Sequence, residues 1–154
     1  MNVTMTDIKK LREMTGAGLS DCKKALAESD DMDGAVAYLR KKGQAVAAKR
    51  SDREAAEGCV LVKVADGFGA IIALKCETDF VANNADFVAL AQQILDAAVA
   101  NKCKSLEEVN ALPMGDGTVA DAVTARSGIT GEKMELDGYS YIEGDNICTY
   151  NHMN

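Results

Sequence analysis

Groups that could perform covalent chemistry are scarce in this sequence. Its one histidine, His152, stands two residues from the end, which removes most of the Cys-His and Ser-His pairings used in nucleophilic catalysis. The five cysteines, at 22, 59, 76, 103 and 148, are odd in number, widely spaced and without a C-x-x-C pair, so neither a disulfide framework nor a zinc knuckle is expected. They read as reduced thiols. No G-x-x-x-x-G-K-[ST] loop is present to cradle nucleotide phosphates, so the chain itself is not expected to bind GTP. No basic, apolar leader opens the sequence, and no apolar run approaches the ~20 residues needed to span a bilayer. The expectation is a cytoplasmic protein with no membrane segment. Carboxylates are plentiful, but none is paired so as to single out an acid and a base. No catalytic residue, metal ligand or cofactor is expected, and the residues point to a binding protein rather than an enzyme.

What is present fits one or two small domains. Apolar residues make up 47% of the chain and charged residues 27%, enough of the first to bury a core. The formal net charge of −7 opposes attraction to phosphate backbones, so no direct nucleic-acid partner is expected. The modest basic cluster Arg40-Lys41-Lys42 reads as cations at a helix C-terminus, where the macrodipole is negative.

Residues 1–43 read as a three-helix N-terminal domain. Thr6 is the expected N-cap of the first helix, with Ile8, Leu11 and Met14 on one face and Gly16 and Gly18 ending it. Ser20 or Asp21 opens the second, with Cys22, Ala25 and Leu26 inward. Asp31 caps the third, which carries Met32, Val36 and Leu39 and ends before Gly43. Residues 44–57, rich in Ala and charge, read as a linker that is helical at its start.

Residues 58–154 read as an α+β core domain, an antiparallel β-sheet packed against helices. A hairpin of Cys59 to Ala65 and Ala70 to Lys75 is expected around Asp66-Gly67-Phe68-Gly69, with Val60, Val62 and Val64 on one face of its first strand. Its second strand is almost continuously apolar and is expected to be covered on both faces. Phe87, Leu90, Ala91, Ile94, Leu95, Ala98 and Val99 then trace a helical stripe in a helix from about Asn83 to Val99. Ser105-Leu106-Glu107-Glu108 has the form of a capping box before a short helix stopped by Pro113. Thr118 opens another helix that runs to Gly128. Met134 to Ile142 and Ile147 to Tyr150 read as strands about Gly144-Asp145-Asn146.

Between hairpin and long helix lies Lys75-Cys76-Glu77-Thr78-Asp79-Phe80-Val81-Ala82-Asn83. Taken alone, Thr78 or Asp79 could cap a helix there while Phe80 packs back on the core as a staple. Cys-Glu-Thr-Asp-Phe-Val also resembles the signature of the elongation factor Ts family of guanine-nucleotide exchange factors. A second stretch, Leu11-Arg12-Glu13-Met14-Thr15-Gly16-Ala17-Gly18 followed by Asp21-Cys22-Lys23-Lys24-Ala25-Leu26, is similar to the family's other hallmark, in the family's order and spacing.

The resemblance covers nearly the whole chain and carries further expectations. The N-terminal domain should be a bundle of ubiquitin-associated type. The partner should be the GTPase elongation factor Tu, from which the family releases GDP by disturbing the magnesium and phosphate site. The segment implicated falls on Thr78, Asp79, Phe80 and Val81, with Phe80 as an apolar wedge and Asp79 holding it in register. Arg12, Leu19 and Ser20 lie where the family's N-terminal unit touches that partner. The family usually continues beyond this length with a second half of its core, so the chain is expected to be a shortened member, with a homodimer through the incomplete core as a further expectation. This chain has Ala73 and Lys75 where relatives often have Glu-x-Asn, and Leu19-Ser20 where some carry a Met pair. Two readings from other classes compete. One is a small helical adapter resting on residues 6 to 43, which leaves Phe80 as core. The other is a thiol enzyme resting on Cys22 or Cys76, supported only by Lys23-Lys24.

Overall fold

The computed structural model describes residues 2–152. They form two compact units, one of residues up to Ser51 together with Thr124–Glu132, the other of Asp52–Val123 together with the residues from Lys133 onward. The architecture is α+β: a three-helix bundle, then an antiparallel sheet packed with helices.

In the first unit, α1 (Met5–Thr15), α2 (Leu19–Ala27) and α3 (Met32–Lys49) enclose Ile8, Leu11, Ala17, Cys22, Ala25, Leu26 and Ala35. Thr4, rather than Thr6, caps α1. Its Oγ1 accepts from Asp7 N (3.2 Å), and the Asp7 carboxylate accepts from Thr4 N (3.1 Å), so two orphan donors are satisfied reciprocally. At Thr6 the reciprocal position would be Lys9, which has no acceptor to offer. Gly16, at φ 72°, ends the helix and donates to Arg12 O. Met14 is 54% exposed and is not part of the core, because each step of three residues falls ~60° short of a full turn and two steps from Ile8 carry it off the buried face.

Helix α2 begins at Leu19 with Gly18 as its cap residue, so Ser20 lies inside the first turn instead of opening the helix. Asp31 caps α3 as the sequence implies, its carboxylate accepting from Gly34 N at 2.7 Å. Helix α3 does not stop at Gly43 but continues to Lys49, which leaves Arg40-Lys41-Lys42 in mid-helix rather than at its negative end. Gly43 is there for close approach. A Cβ on it would stand 3.3 Å from Thr124 O and 3.4 Å from Ala125 Cα, and a Cβ on Gly128 would overlap Gly43 Cα.

In the second unit, β1 (Glu57–Ala65) and β2 (Phe68–Cys76) are joined by the two-residue turn Asp66-Gly67. Both turn residues have positive φ (53° and 71°), the conformation that matches the twist of a tight hairpin. The turn is shorter than the four residues expected because Phe68 already belongs to β2 and is fully buried. The sheet order is β1-β2-β5, antiparallel throughout, with β5 spanning Glu135–Glu143.

The sheet's inner face, with Phe68, Ala70, Ile72, Leu74 and Cys76 of β2, packs against Phe87, Ala91, Ile94, Leu95 and Ala98 of α5 (Ala85–Ala100). The expectation that both faces of β2 are covered is not met: Ile71 on its other face is 41% exposed, as are Val60 (47%) and Ile142 (58%) of the flanking strands. An apolar run here reflects the central position of β2, paired along both edges, more than burial of both faces.

Ile147–Tyr150 form no strand. After Gly144 N donates to Gly67 O, the chain crosses the outer face, where Ile147 Cγ2 would meet a Cβ on Gly69 at 3.2 Å. Side-chain packing there replaces strand pairing. The remaining elements are α6 (Leu106–Ala111), the two-residue strands β3 (Pro113–Met114) and β4 (Gly117–Thr118), and α7 (Val119–Thr130), which passes Gly128 instead of ending there. Ser105 caps α6, accepting from Glu108 N, while the Glu108 carboxylate reaches Lys104 N, one residue earlier than the box requires.

The Tyr139 hydroxyl donates to Cys103 O at 2.5 Å, tying β5 to the segment after α5. Burial raises its pKa to about 12. A phenol whose pKa is raised on folding stabilises the native state fully below the unfolded value near 10 and loses that contribution as pH climbs through the folded value. Tyr139→Phe should therefore lower stability by about 1 kcal/mol near neutrality, the worth of one hydrogen bond. The gap between variant and parent should close between pH 10 and 12, as read by urea unfolding.

Candidate functional site

Strand β2 ends at Cys76, and the chain turns at once into α4 (Asp79–Ala82), a single helical turn that stops before α5 starts. Each turn has its own cap. Thr78 Oγ1 accepts from Val81 N at 3.4 Å, and Asn84 Oδ1 accepts from Asp86 N and Phe87 N at 3.0 and 3.3 Å. Thr78 O also receives Ala82 N (3.1 Å) and the Cys76 thiol (3.2 Å). Asp79 O accepts from both the backbone N and side-chain Nδ2 of Asn83, at 3.0 and 2.9 Å.

This local order turns one large apolar side chain outward. Phe80 is 84% exposed, so the staple reading fails although the capping role of Thr78 holds. Its neighbours Val81 and Ala82 supply the packing instead, the first partly buried against the core and the second buried. Asp79 is exposed beside Phe80 in the first turn. An exposed phenylalanine fixed on a capped turn at the end of a central strand performs no chemistry, but it can insert into an apolar slot of a partner.

Arg12, Leu19 and Ser20 belong to the other unit. All three are exposed, with Arg12 in the last turn of α1 and Leu19, at 45% exposure, opening α2. The sequence reading missed Met14, which adds a second exposed apolar residue flanking the Gly16–Gly18 loop. Its departure from the Ile8–Leu11 face was the available signal.

The reading of a thiol enzyme resting on Cys22 or Cys76 finds no support. Cys22, Cys59 and Cys103 have pKa values pushed up chiefly by burial, the opposite of what an attacking thiolate requires. Cys76 is buried. Among the described residues no cluster of three His, Cys, Asp or Glu side chains could hold a metal ion, and no helix is long and apolar enough to cross a membrane. The outer face of the sheet carries an open, mainly apolar groove of ≈ 240 Å³ bounded by Val62, Ile71, Ile142, Ile147 and Tyr150.

Comparison with known proteins agrees with the two motifs. A family model described as Elongation factor TS matches residues 77–154. The chain is similar to Elongation factor Ts of Bacteroides fragilis, 75% identical over 155 residues, an alignment covering 100% of this chain and 47% of that protein. It is 71% identical over 154 residues to Elongation factor Ts of Parabacteroides distasonis (99% of this chain, 47% of that protein). Elongation factor Ts of Porphyromonas gingivalis is 60% identical over 154 residues (99% and 56%). The chain thus spans about half the length of the curated relatives it matches.

Proposed function

The chain belongs to the elongation factor Ts family, and from that premise we propose that it is a cytoplasmic translation factor that binds elongation factor Tu in its GDP form and promotes release of the nucleotide. The observation that carries the reading is the exposure of Phe80, 84%, on a turn held by its own caps. A factor of this kind binds the nucleotide-free partner better than the GDP-bound one, and linkage makes GDP and factor weaken each other by the same ratio. Burying one phenylalanine is worth about 1.5–3 kcal/mol. If that contact is complete only in the nucleotide-free complex, it supplies about a 10- to 160-fold weakening of GDP.

In this mechanism Phe80 is the wedge and Asp79 holds it in register through hydrogen bonds to the partner. Thr78 and Val81 fix the turn, one as cap and the other by packing. Displacing the elements that support magnesium and phosphate removes what retains GDP, and no bond is made or broken. Arg12, Leu19 and Ser20 form a second contact near the nucleotide-binding end. The alternative of a helical adapter working through residues 6 to 43 leaves the exposure of Phe80 without a use.

The test is release of a fluorescent GDP from purified elongation factor Tu as this protein is titrated in. Saturable acceleration is expected, and its absence would overturn the proposal. Leu19→Ala should raise the half-saturating concentration about tenfold or less, as loss of a partly exposed contact outside the centre of an interface does. The maximal rate and the melting temperature should not change.

A further inference from the structure

The ladder of the sheet ends at Glu57–Cys76 on one side of β2 and at Lys75–Glu135 on the other. The next residue, Glu77, continues both connections with its side chain. Its Oε1 accepts from the backbone N of Lys133, just ahead of β5, at 2.7 Å, and its Oε2 lies 3.8 Å from Arg53 Nε, just ahead of β1. The Glu77 side chain is only 15% exposed, whereas that of Arg53 is 60% exposed, so the ion pair is weak and the bond to Lys133 is the firmer tie. The residue after Glu77 is Thr78, whose carbonyl and hydroxyl organise α4 and whose second neighbour is Phe80.

Building on the exchange reading above, we propose that Glu77 is a positioning residue for Phe80. Its carboxylate pins the end of β2 to the entrance of β5, so that the turn leaves the sheet in one direction and the exposed ring is held where it inserts. A structural role alone would stabilise the sheet end without affecting what Phe80 does. The positioning role makes three further demands: the maximal rate of GDP release must fall, the concentration for half-maximal effect must not change, and an acceptor without charge must suffice.

The experiment uses Glu77→Ala and Glu77→Gln in the full chain, with two readouts. Fluorescent-GDP release from elongation factor Tu gives the maximal rate and the half-saturating concentration. Fluorine NMR of protein carrying fluorophenylalanine reports the ring directly, since Phe68 and Phe87 are fully buried and Phe80 is 84% exposed, which separates its line from theirs. Glu77→Ala should lower the maximal rate per folded molecule by about 2- to 30-fold, the range over which a residue outside a contact changes a coupling. It should shift or broaden the Phe80 line and leave the other two in place. Glu77→Gln, whose Oε1 still accepts from Lys133 N, should restore both.

The proposal is overturned if Glu77→Ala leaves the Phe80 line and the rate unchanged, if all three lines move together in a variant that stays folded, or if Glu77→Gln fails to rescue. Should Glu77→Ala not fold, Glu77→Asp withdraws the acceptor by one methylene and is expected to act in the same direction. Failure of the exchange reading has its own signature. The parent protein would not accelerate release, while the Phe80 line would still move in Glu77→Ala and recover in Glu77→Gln.

Discussion

Phe80→Ala is expected to slow GDP release from elongation factor Tu by about 10- to 160-fold at saturating factor, the equivalent of one buried phenylalanine contact. The stability of the protein itself should stay within about 0.5 kcal/mol of the parent, as for most exposed positions. Phe87→Ala should do the reverse. That ring is fully buried between α5 and the sheet, and its loss should destabilise by about 3–5 kcal/mol with undiminished release per folded molecule. The two substitutions delete the same atoms from neighbouring helices and separate core from interface. Urea unfolding beside the fluorescent-GDP assay reads both. A large stability loss in Phe80→Ala with normal release would mean that the ring is structural.

Gly128→Leu should destabilise the helical unit by about 3 kcal/mol, at the upper end of what overpacking does. Two effects oppose each other at this position. Removing glycine from a helix interior gains about 1 kcal/mol. Against that, even the first added carbon would overlap Gly43 Cα and stand 3.2 Å from Gly43 N. Both are backbone atoms that no rotamer change can move aside, so the steric term wins, and Gly128→Ala should show the same sign at smaller size. Gly18, around which a Cβ finds open space, is the control. Amide exchange at Leu11 and Leu26 should quicken in Gly128→Leu but not in Gly18→Ala. Unchanged protection at those amides would show that α3 and α7 do not cross there as closely as described.

The sequence reading did best where a pattern depends on neighbours along the chain. The stripe from Phe87 to Val99, the Asp31 and Ser105 caps and the existence of the hairpin are local matters of periodicity and hydrogen bonding, and each appears in the structure, although the hairpin's turn is two residues rather than four. It did worse where distant segments decide. Gly43 looks like a terminator until α7 is placed across it. Ile147 to Tyr150 have strand composition but form no strand, and Ile147 packs over Gly69 instead. At the candidate site, the capping role of Thr78 was legible, whereas the direction of Phe80 was not. Both the staple and the outward ring are compatible with Thr-Asp-Phe-Val, and the choice depends on Val81 and Ala82 filling the core. The role of Glu77 was not legible because Arg53 and Lys133, which it meets, lie far from it in sequence and one of them contributes only a backbone amide.

The helical unit is assembled from two separated stretches, with residues 124–132 completing what α1 to α3 begin. During synthesis at ~5–20 residues per second, the first stretch waits on the order of ten seconds for the second to appear. Through that interval the α3 surface at Gly43 has no covering helix, and the unit depends on the small cluster around Leu11 and Leu26. Early folding events and final stability should therefore respond to different residues. Substitutions in the Leu11 cluster should be felt by the nascent chain, whereas Gly43 and Gly128 should matter only after α7 has arrived.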